Sequence, residues 1–528
     1  MVYGGKPSTG CHLCRRRKIK CDEGHPGCRN CSVYGQPCPG YRSDVMFRNE
    51  TRKVQELMTK GTTSGRLDGS GSSGSGSGGG SQLHYYSPSS LSVYRIPDTS
   101  WEEKAICYFF DQYTIVDNIP GSAGHLGFVP SLYAVCRDQN LATPASSSLR
   151  LAVDATSLIA MSNLVGASGS IVAQARNRFG LALGRLQEAL NSPVEAVKDE
   201  TFATLVILSL FEDISGDRNG LVSSHTTGFE ALIRLRGENQ LVHAQGLDMF
   251  KFAYVHVQVE SLVLKEKPRY NSQWLVQLLD SSDPLQRLMI IAARISPLLS
   301  EVYSAPDGLD AAGVTKLASW IDSCRQLDAE LIEWSHSMPE EWLPLATRSY
   351  TGEDVLTYRE MIIGSIWAHY RCGRITIHLR IVDLFRALVS VTNSPGIQRE
   401  AAQQVDESHR ICKDLITESC QSIPFSFGQI DRFGNRLAPS TEGRYPIRAF
   451  FAHSMMWPLW FILSCGLTSP AQDQIIRSLL TRMGSELGIK MAFFLANTGM
   501  ENKVPPMPDM SSFEQSMGNL YRGGLYSG

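Results

Sequence analysis

Residues 10–42 read GCHLCRRRKIKCDEGHPGCRNCSVYGQPCPGYR. Six of the chain's 13 cysteines fall here, at Cys11, Cys14, Cys21, Cys28, Cys31 and Cys38, in the spacing C-x2-C-x6-C-x6-C-x2-C-x6-C. The spacing is a duplication. Cys11, Cys14 and Cys21 each have a counterpart 17 residues on, so each half is one C-x2-C-x6-C unit. Two cysteines three apart share one face of a helix's first turn, where the positive end of the helix dipole favours thiolates. A structural zinc takes four ligands, so one zinc leaves two thiols idle. Two zincs need eight coordination positions, which six cysteines supply only if two of them bridge. The duplication suggests one bridging residue from each half. Such a closed binuclear cluster is structural rather than catalytic. A unit of about 30 residues has almost no core, so metal binding supplies most of its folding free energy.

Charge singles out the same end of the 528-residue chain. Residues 1–60 hold twelve Lys/Arg against five Asp/Glu, a net +7, whereas the other 468 residues carry 38 against 47 and are −9. A basic head on an acidic body points to a polyanion-binding end. Between Cys14 and Cys21 five of six residues are basic: Arg15, Arg16, Arg17, Lys18 and Lys20. The second half offers only Arg29, followed by the uncharged run from Ser32 to Pro37. Only the first helix is therefore equipped to meet phosphates and guanine edges in a major groove, with salt-dependent affinity from each phosphate contact.

These residues resemble the fungal Zn(II)2Cys6 binuclear-cluster DNA-binding domain. The likeness covers all six cysteines, the basic run, Lys20-Cys21-Asp22, and Pro26 two residues before Cys28. It implies two Zn2+ per chain, with Cys11 and Cys28 bridging, Cys14 and Cys21 completing one ion, and Cys31 and Cys38 the other. It further implies that Lys18 reads a CGG triplet in double-stranded DNA. Arg15, Arg17 and Lys20 are then neighbouring phosphate or base contacts, and Pro26 shapes the turn between halves. Metal storage accounts for the thiols but not for the basic run, and a nuclear-import signal accounts for the basic run but not for the thiols.

Downstream, the spacing divides the chain into a cluster domain (8–43), a basic linker with weak helical character (44–64), a Gly/Ser-rich tether (65–91), an all-α domain (92–500) and a C-terminal tail (501–528). Apolar residues at i, i+3, i+4, i+7 predict helices over 171–190, from Pro193 through Phe211, and over 225–236, 250–264, 284–299, 309–335, 354–388, 399–420, 445–463 and 471–496. Gly237 is the expected stop of the third of these. This body resembles the fungal-specific transcription factor regulatory region, its best local piece being residues 225–237, HTTGFEALIRLRG. The fold class is thus a small Zn2Cys6 cluster of two short helices and loops, tethered to a large all-α domain.

Several functions are disfavoured. The longest apolar stretch, 455–467, is 13 residues and contains Pro458, short of the roughly 20 that a membrane span needs. No secretory signal opens the sequence, so a reducing, intracellular setting is expected, and in it a thiol cluster is a metal site rather than a disulfide framework. The body lacks G-x-S-x-G, H-E-x-x-H, a P-loop and a Gly-rich dinucleotide loop after a strand, so no enzyme is expected and no catalytic residue is named. His243, His256, His369 and His378 read as hydrogen-bonded or surface groups, Cys372 and Cys412 as packing residues, and the aromatic run 450–461 as core rather than effector pocket.

The expected function is a zinc-dependent, sequence-specific regulator of RNA polymerase II transcription in the nucleus, with coregulators or transcription machinery as protein partners. The competing reading is a structural DNA-binding scaffold without activating function. Residues 44–60 offer at most two heptads (Val54, Leu57 and Met58 share a face) before Gly61, too few for a coiled coil. Homodimerisation is therefore expected through the helical body.

Overall fold

The computed structural model describes residues 10–39, apart from 25, 26 and 37, and residues 100–498, apart from 115–125, 138–141, 167–168, 219–220, 222, 265–271, 304–310, 393 and 439–446. The linker, the tether, the tail, Pro26 and the Val54, Leu57 and Met58 face lie outside the described residues. The chain forms two compact units, 1–94 and 95–528.

The described residues of the first unit form two five-residue helices, α1 (His12–Arg16) and α2 (Arg29–Val33). Helices this short do not persist alone. Among the described residues their buried core is Leu13 with Cys11, Cys14, Cys28 and Cys31, so sulfur takes the place of apolar side chains there.

The described residues of the second unit are mostly helical. It begins with α3 (Trp101–Tyr113), α4 (Val129–Cys136), α5 (Pro144–Val165), α6 (Gly169–Leu190), α7 (Pro193–Ala196), α8 (Asp199–Ser215), α9 (Thr226–Arg236) and α10 (Ala244–Leu264). It continues with α11 (Gln273–Val276), α12 (Pro284–Ala292), α13 (Ile295–Tyr303) and α14 (Ala311–His336). A hairpin of β1 (Leu345–Arg348) and β2 (Asp354–Thr357) follows, then α15 (Met361–Val391), α16 (Pro395–Ser426), α17 (Ala449–Ser464), α18 (Pro470–Glu486) and α19 (Lys490–Asn497).

Two helices form the centre of the first half. In α5 and α8 nearly every face is buried, the pattern of a core helix rather than a surface one, and α5 packs on α3, α6 and α8. In the second half α15 packs on α14, α16 and α17. The run 450–461 supplies core, with Phe450, Met455, Met456, Leu459 and Trp460 buried. Cys412 is buried and Cys372 partly so. His369 Nδ1 lies 2.7 Å from the Ser365 carbonyl and His378 Nδ1 lies 3.3 Å from Ser408 Oγ.

Four predicted helices are corrected by tertiary demands. The helix expected from Pro193 breaks after Ala196, because Glu195 turns back to accept the Ala145 N–H at 3.2 Å, capping α5. The stretch 284–299 divides at Ala293–Arg294, and Pro297, which lacks an N–H, falls in the first turn of α13 where none is needed. The first residues of 354–388 form β2 instead, registered on β1 with Leu345 opposite Thr357, and Thr357 Oγ1 donates to the Arg432 carbonyl at 2.7 Å. The stretch 471–496 breaks before Gly488, whose φ is +74° and whose absent Cβ would lie 2.9 Å from Asn163 Cβ. Asn163 Nδ2 fills that approach by donating to the Gly488 carbonyl at 2.9 Å. Gly237 does end α9, with φ +61°.

A buried ionic network joins α8, the chain after it, α10 and α17. Arg218 pairs with Asp213 at 2.9 Å, both side chains 2% exposed, and the His453 ring lies 2.9 Å from Asp213. Glu260 on α10 accepts from the Ser223 N–H and the Thr226 hydroxyl. Burial pushes Glu260 up to about 8 from its ordinary 4.5; Arg218 and the Ser223 amide oppose the shift, and Glu212 and Asp213 add to it. The folded body therefore holds this proton better than the unfolded chain does. That contribution to stability is complete below about pH 4.5 and lost as pH rises to about 8. Glu260→Gln cannot ionise, so its thermal midpoint should gain on the wild type between pH 5.5 and pH 7.5. A constant gap across that window would refute the assignment.

Candidate metal centre and nucleic-acid interface

Each half of the cluster builds the same local device. Cys11 precedes α1 in an extended conformation and its sulfur accepts the Cys14 N–H at 3.4 Å; Cys28 does the same ahead of α2 for Cys31, also at 3.4 Å. Both helices then end alike. The Ile19 N–H reaches the Cys14 carbonyl at 3.0 Å and the Gln36 N–H reaches the Cys31 carbonyl at 3.2 Å. The residue between is left-handed in each half, Lys18 at φ +56° and Gly35 at φ +73°. The 17-residue repeat is therefore carried by the backbone as well as by the thiols.

The sulfurs converge. Cys11 Sγ lies 3.6 Å from both Cys28 Sγ and Cys31 Sγ, and Cys14 Sγ lies 3.7 Å from Cys28 Sγ. A disulfide places sulfurs at about 2.05 Å. A zinc–sulfur tetrahedron with bonds near 2.3 Å has edges of about 3.8 Å, so the thiols stand at metal-sharing rather than bonding separation. Two groups have their four sulfurs all within 4.8 Å of one another: Cys11, Cys14, Cys21, Cys28, and Cys11, Cys28, Cys31, Cys38. Cys11 and Cys28 are common to both. This donor set fits two zinc ions.

Burial resists ionisation of most of these thiols. Desolvation, then the Cys11 and Cys28 thiols, push Cys14 up to about 12, and desolvation raises Cys28 and Cys31 as well. Cys21 is the exception at about 7; desolvation works against its thiolate, but backbone groups of Cys11 and Glu23 favour it more. A coordinated cation inverts that cost, since a thiol on a metal ion is deprotonated outright.

The basic run is placed differently from expectation. Only Arg15 and Arg16 lie on α1; Arg17 caps it, and Lys18 and Lys20 lie beyond. The reason is the third thiol. A helix continued past Arg17 would carry Cys21 away, whereas the turn at Lys18 returns it so that the Cys11 N–H meets Cys21 Sγ at 3.4 Å. Left-handed backbone costs a residue with a Cβ about 1–2 kcal/mol, so Lys18 is strained where its counterpart is glycine. Lys18 and Lys20 are exposed and Arg15 half-buried.

Four contacts between the halves are not evident from the spacing. The Asp22 carboxylate accepts the Arg29 and Asn30 amides at 3.0 and 3.3 Å, the first of which holds it below the usual carboxylate range. Asn30 Nδ2 donates to the Lys20 carbonyl at 2.7 Å. Arg17 stacks its guanidinium 3.5 Å from the centre of the Tyr34 ring. The repeat held one clue, since Arg17 and Tyr34 are equivalent positions in the two halves.

Comparison with known proteins places both units. The fungal Zn(2)-Cys(6) binuclear cluster domain matches residues 9–45, and the fungal specific transcription factor domain matches residues 139–492. Among curated proteins, a Zn(2)-C6 fungal-type transcription factor of Gibberella zeae is 51% identical over 41 residues, 8% of each chain. An aspercryptin biosynthesis cluster-specific transcription regulator of Emericella nidulans is 49% identical over 63 residues, 12% of this chain and 10% of the relative. Arginine metabolism regulation protein II of Saccharomyces cerevisiae is 53% identical over 43 residues, 8% of this chain and 5% of the relative. These matches span about a tenth or less of the relatives' lengths. No solved structure matches.

Proposed function

This chain belongs to the fungal Zn(2)-Cys(6) transcription factors that carry a fungal specific transcription factor domain, and from that premise we propose that it is a zinc-dependent, sequence-specific DNA-binding regulator of transcription acting in the nucleus. The family consists of transcription factors, not enzymes. Among the described residues no helix is long and apolar enough to cross a membrane.

The cluster would hold two zinc ions per chain, one by Cys11, Cys14, Cys21 and Cys28 and the other by Cys11, Cys28, Cys31 and Cys38. The observation that carries this reading is the pair of four-thiol groups with Cys11 and Cys28 in common. Bound there, the ions would supply fold rather than chemistry: the shared thiols hold the two helices together and so fix the backbone from which Arg15, Arg17, Lys18 and Lys20 reach double-stranded DNA.

Lys18 is the base-reading residue, set against a CGG triplet, and Arg15 and Lys20 contact the flanking phosphates. The support is the match to the cluster domain together with the exposure of Lys18 directly beyond α1. Lys18→Ala should weaken binding to a CGG duplex by about 1–3 kcal/mol while leaving random DNA nearly unchanged. Lys18→Gly should lose as much specific affinity yet melt no lower than wild type, because glycine relieves the backbone. Equal losses on both duplexes would make Lys18 a phosphate contact only. Homodimerisation we assign to the helical body, because residues 44–60 lack the heptads for it.

A further inference from the structure

Resting on the DNA-binding reading above, we infer that Tyr34, in the half of the cluster poor in charge, is a positioning residue for DNA: it holds Arg17 flat so that the edge of the guanidinium faces the phosphate backbone. The Arg17 guanidinium lies 3.5 Å from the centre of the Tyr34 ring, a face-on stack in which the ring's negative face meets the cation. Stacking covers one face of the guanidinium and leaves all its N–H donors free in the plane, the geometry that phosphate oxygens accept. An exposed arginine otherwise gives up rotamer freedom when it binds, and this one is already fixed. Arg17 is exposed and Tyr34 is 51% exposed, so the pair is open to a ligand on its outer side. It also adjoins Lys18 in the chain, on the strained turn where the basic run leaves α1.

A purely structural brace is the competing role for the stack. The halves are already joined by Asp22 to the Arg29 and Asn30 amides and by Asn30 to the Lys20 carbonyl, and by the sulfurs that both share. An additional tie on the outside is therefore redundant for folding, while an ordered cation beside the base-reading position is not redundant for binding.

The test uses the full chain and a salt series on a CGG duplex and a scrambled one. Tyr34→Ala should bind both duplexes about 3–5-fold more weakly. The slope of log affinity against log salt should become shallower by about 0.9, the loss of one phosphate contact. Zinc content and melting temperature should stay at wild type. Tyr34→Phe keeps the ring and should keep the slope. Arg17→Ala combined with Tyr34→Ala should bind no more weakly than Arg17→Ala alone, because each needs the other. The neighbouring Val33→Ala, at a position 80% exposed, is the control and should match wild type. An unchanged salt slope in Tyr34→Ala, or zinc lost in step with affinity, would make the stack a brace and overturn the inference. If the wild-type chain holds zinc but binds neither duplex, the DNA-binding reading itself fails and takes this inference with it.

Discussion

Replacing Cys11 or Cys28 with alanine is expected to strip the cluster of both zinc ions, whereas Cys21→Ala or Cys38→Ala should leave one. The difference follows from membership. Cys11 and Cys28 belong to both four-thiol groups, Cys21 only to the first and Cys38 only to the second. Structural zinc in small domains supplies an apparent ~10–16 kcal/mol at neutral pH, and among the described residues the apolar part of this core, apart from the cysteines, is a single leucine, Leu13. Metal analysis of the full-length variants should read a zinc-to-chain ratio near two for wild type, near one for the peripheral pair and near zero for the shared pair. DNA binding should vanish with the shared pair. Equal ratios across all four variants would rule out the shared-thiolate arrangement.

The second large effect is expected in the helical body. Asp213→Ala should destabilise the helical body by about 3–5 kcal/mol, because it strands the Arg218 guanidinium as an uncompensated buried charge. Although burial raises the Asp213 carboxyl, Arg218 and then His453 hold it below the usual carboxylate range. Asp217→Ala is the comparison. Asp217 also pairs with an arginine, Arg176 at 2.9 Å, but both side chains are largely exposed, and such pairs contribute about 0–1 kcal/mol. Urea midpoints of the two variants should separate clearly. Similar midpoints would show that the Asp213 site is wet.

The metal centre was legible to an unusual degree because its information is local. Thiol ligands are rare residues, and zinc demands a fixed number of them, so spacing and counting alone point to a two-ion cluster with shared sulfurs. Helix positions in the body were legible for a similar reason, since 3.6-residue periodicity is written along one segment. Helix breaks were not. That after Ala196 depends on the α5 amide at Ala145, some 50 residues away, and that at Gly488 on Asn163. The β1–β2 hairpin took residues that were expected to start α15, because its pairing is set by a partner strand and by the Arg432 carbonyl.

Within the cluster the division is just as sharp. Composition and spacing alone identified the six thiols, the basic run and the duplicated halves. The tertiary structure decided that the basic run leaves the helix at Lys18, because Cys21 has to return to Cys11. It decided that Arg17 lies on Tyr34, because two repeats closing on one sulfur core bring their equivalent positions face to face. It also separated Asp213 from Asp217, four residues apart and alike in sequence, by burying one beside Arg218 and leaving the other in solvent. Ligand counting and helical periodicity are properties of a segment, so the chain states them outright. Charge burial, backbone strain and cross-half stacking arise only when segments distant in the sequence are brought together.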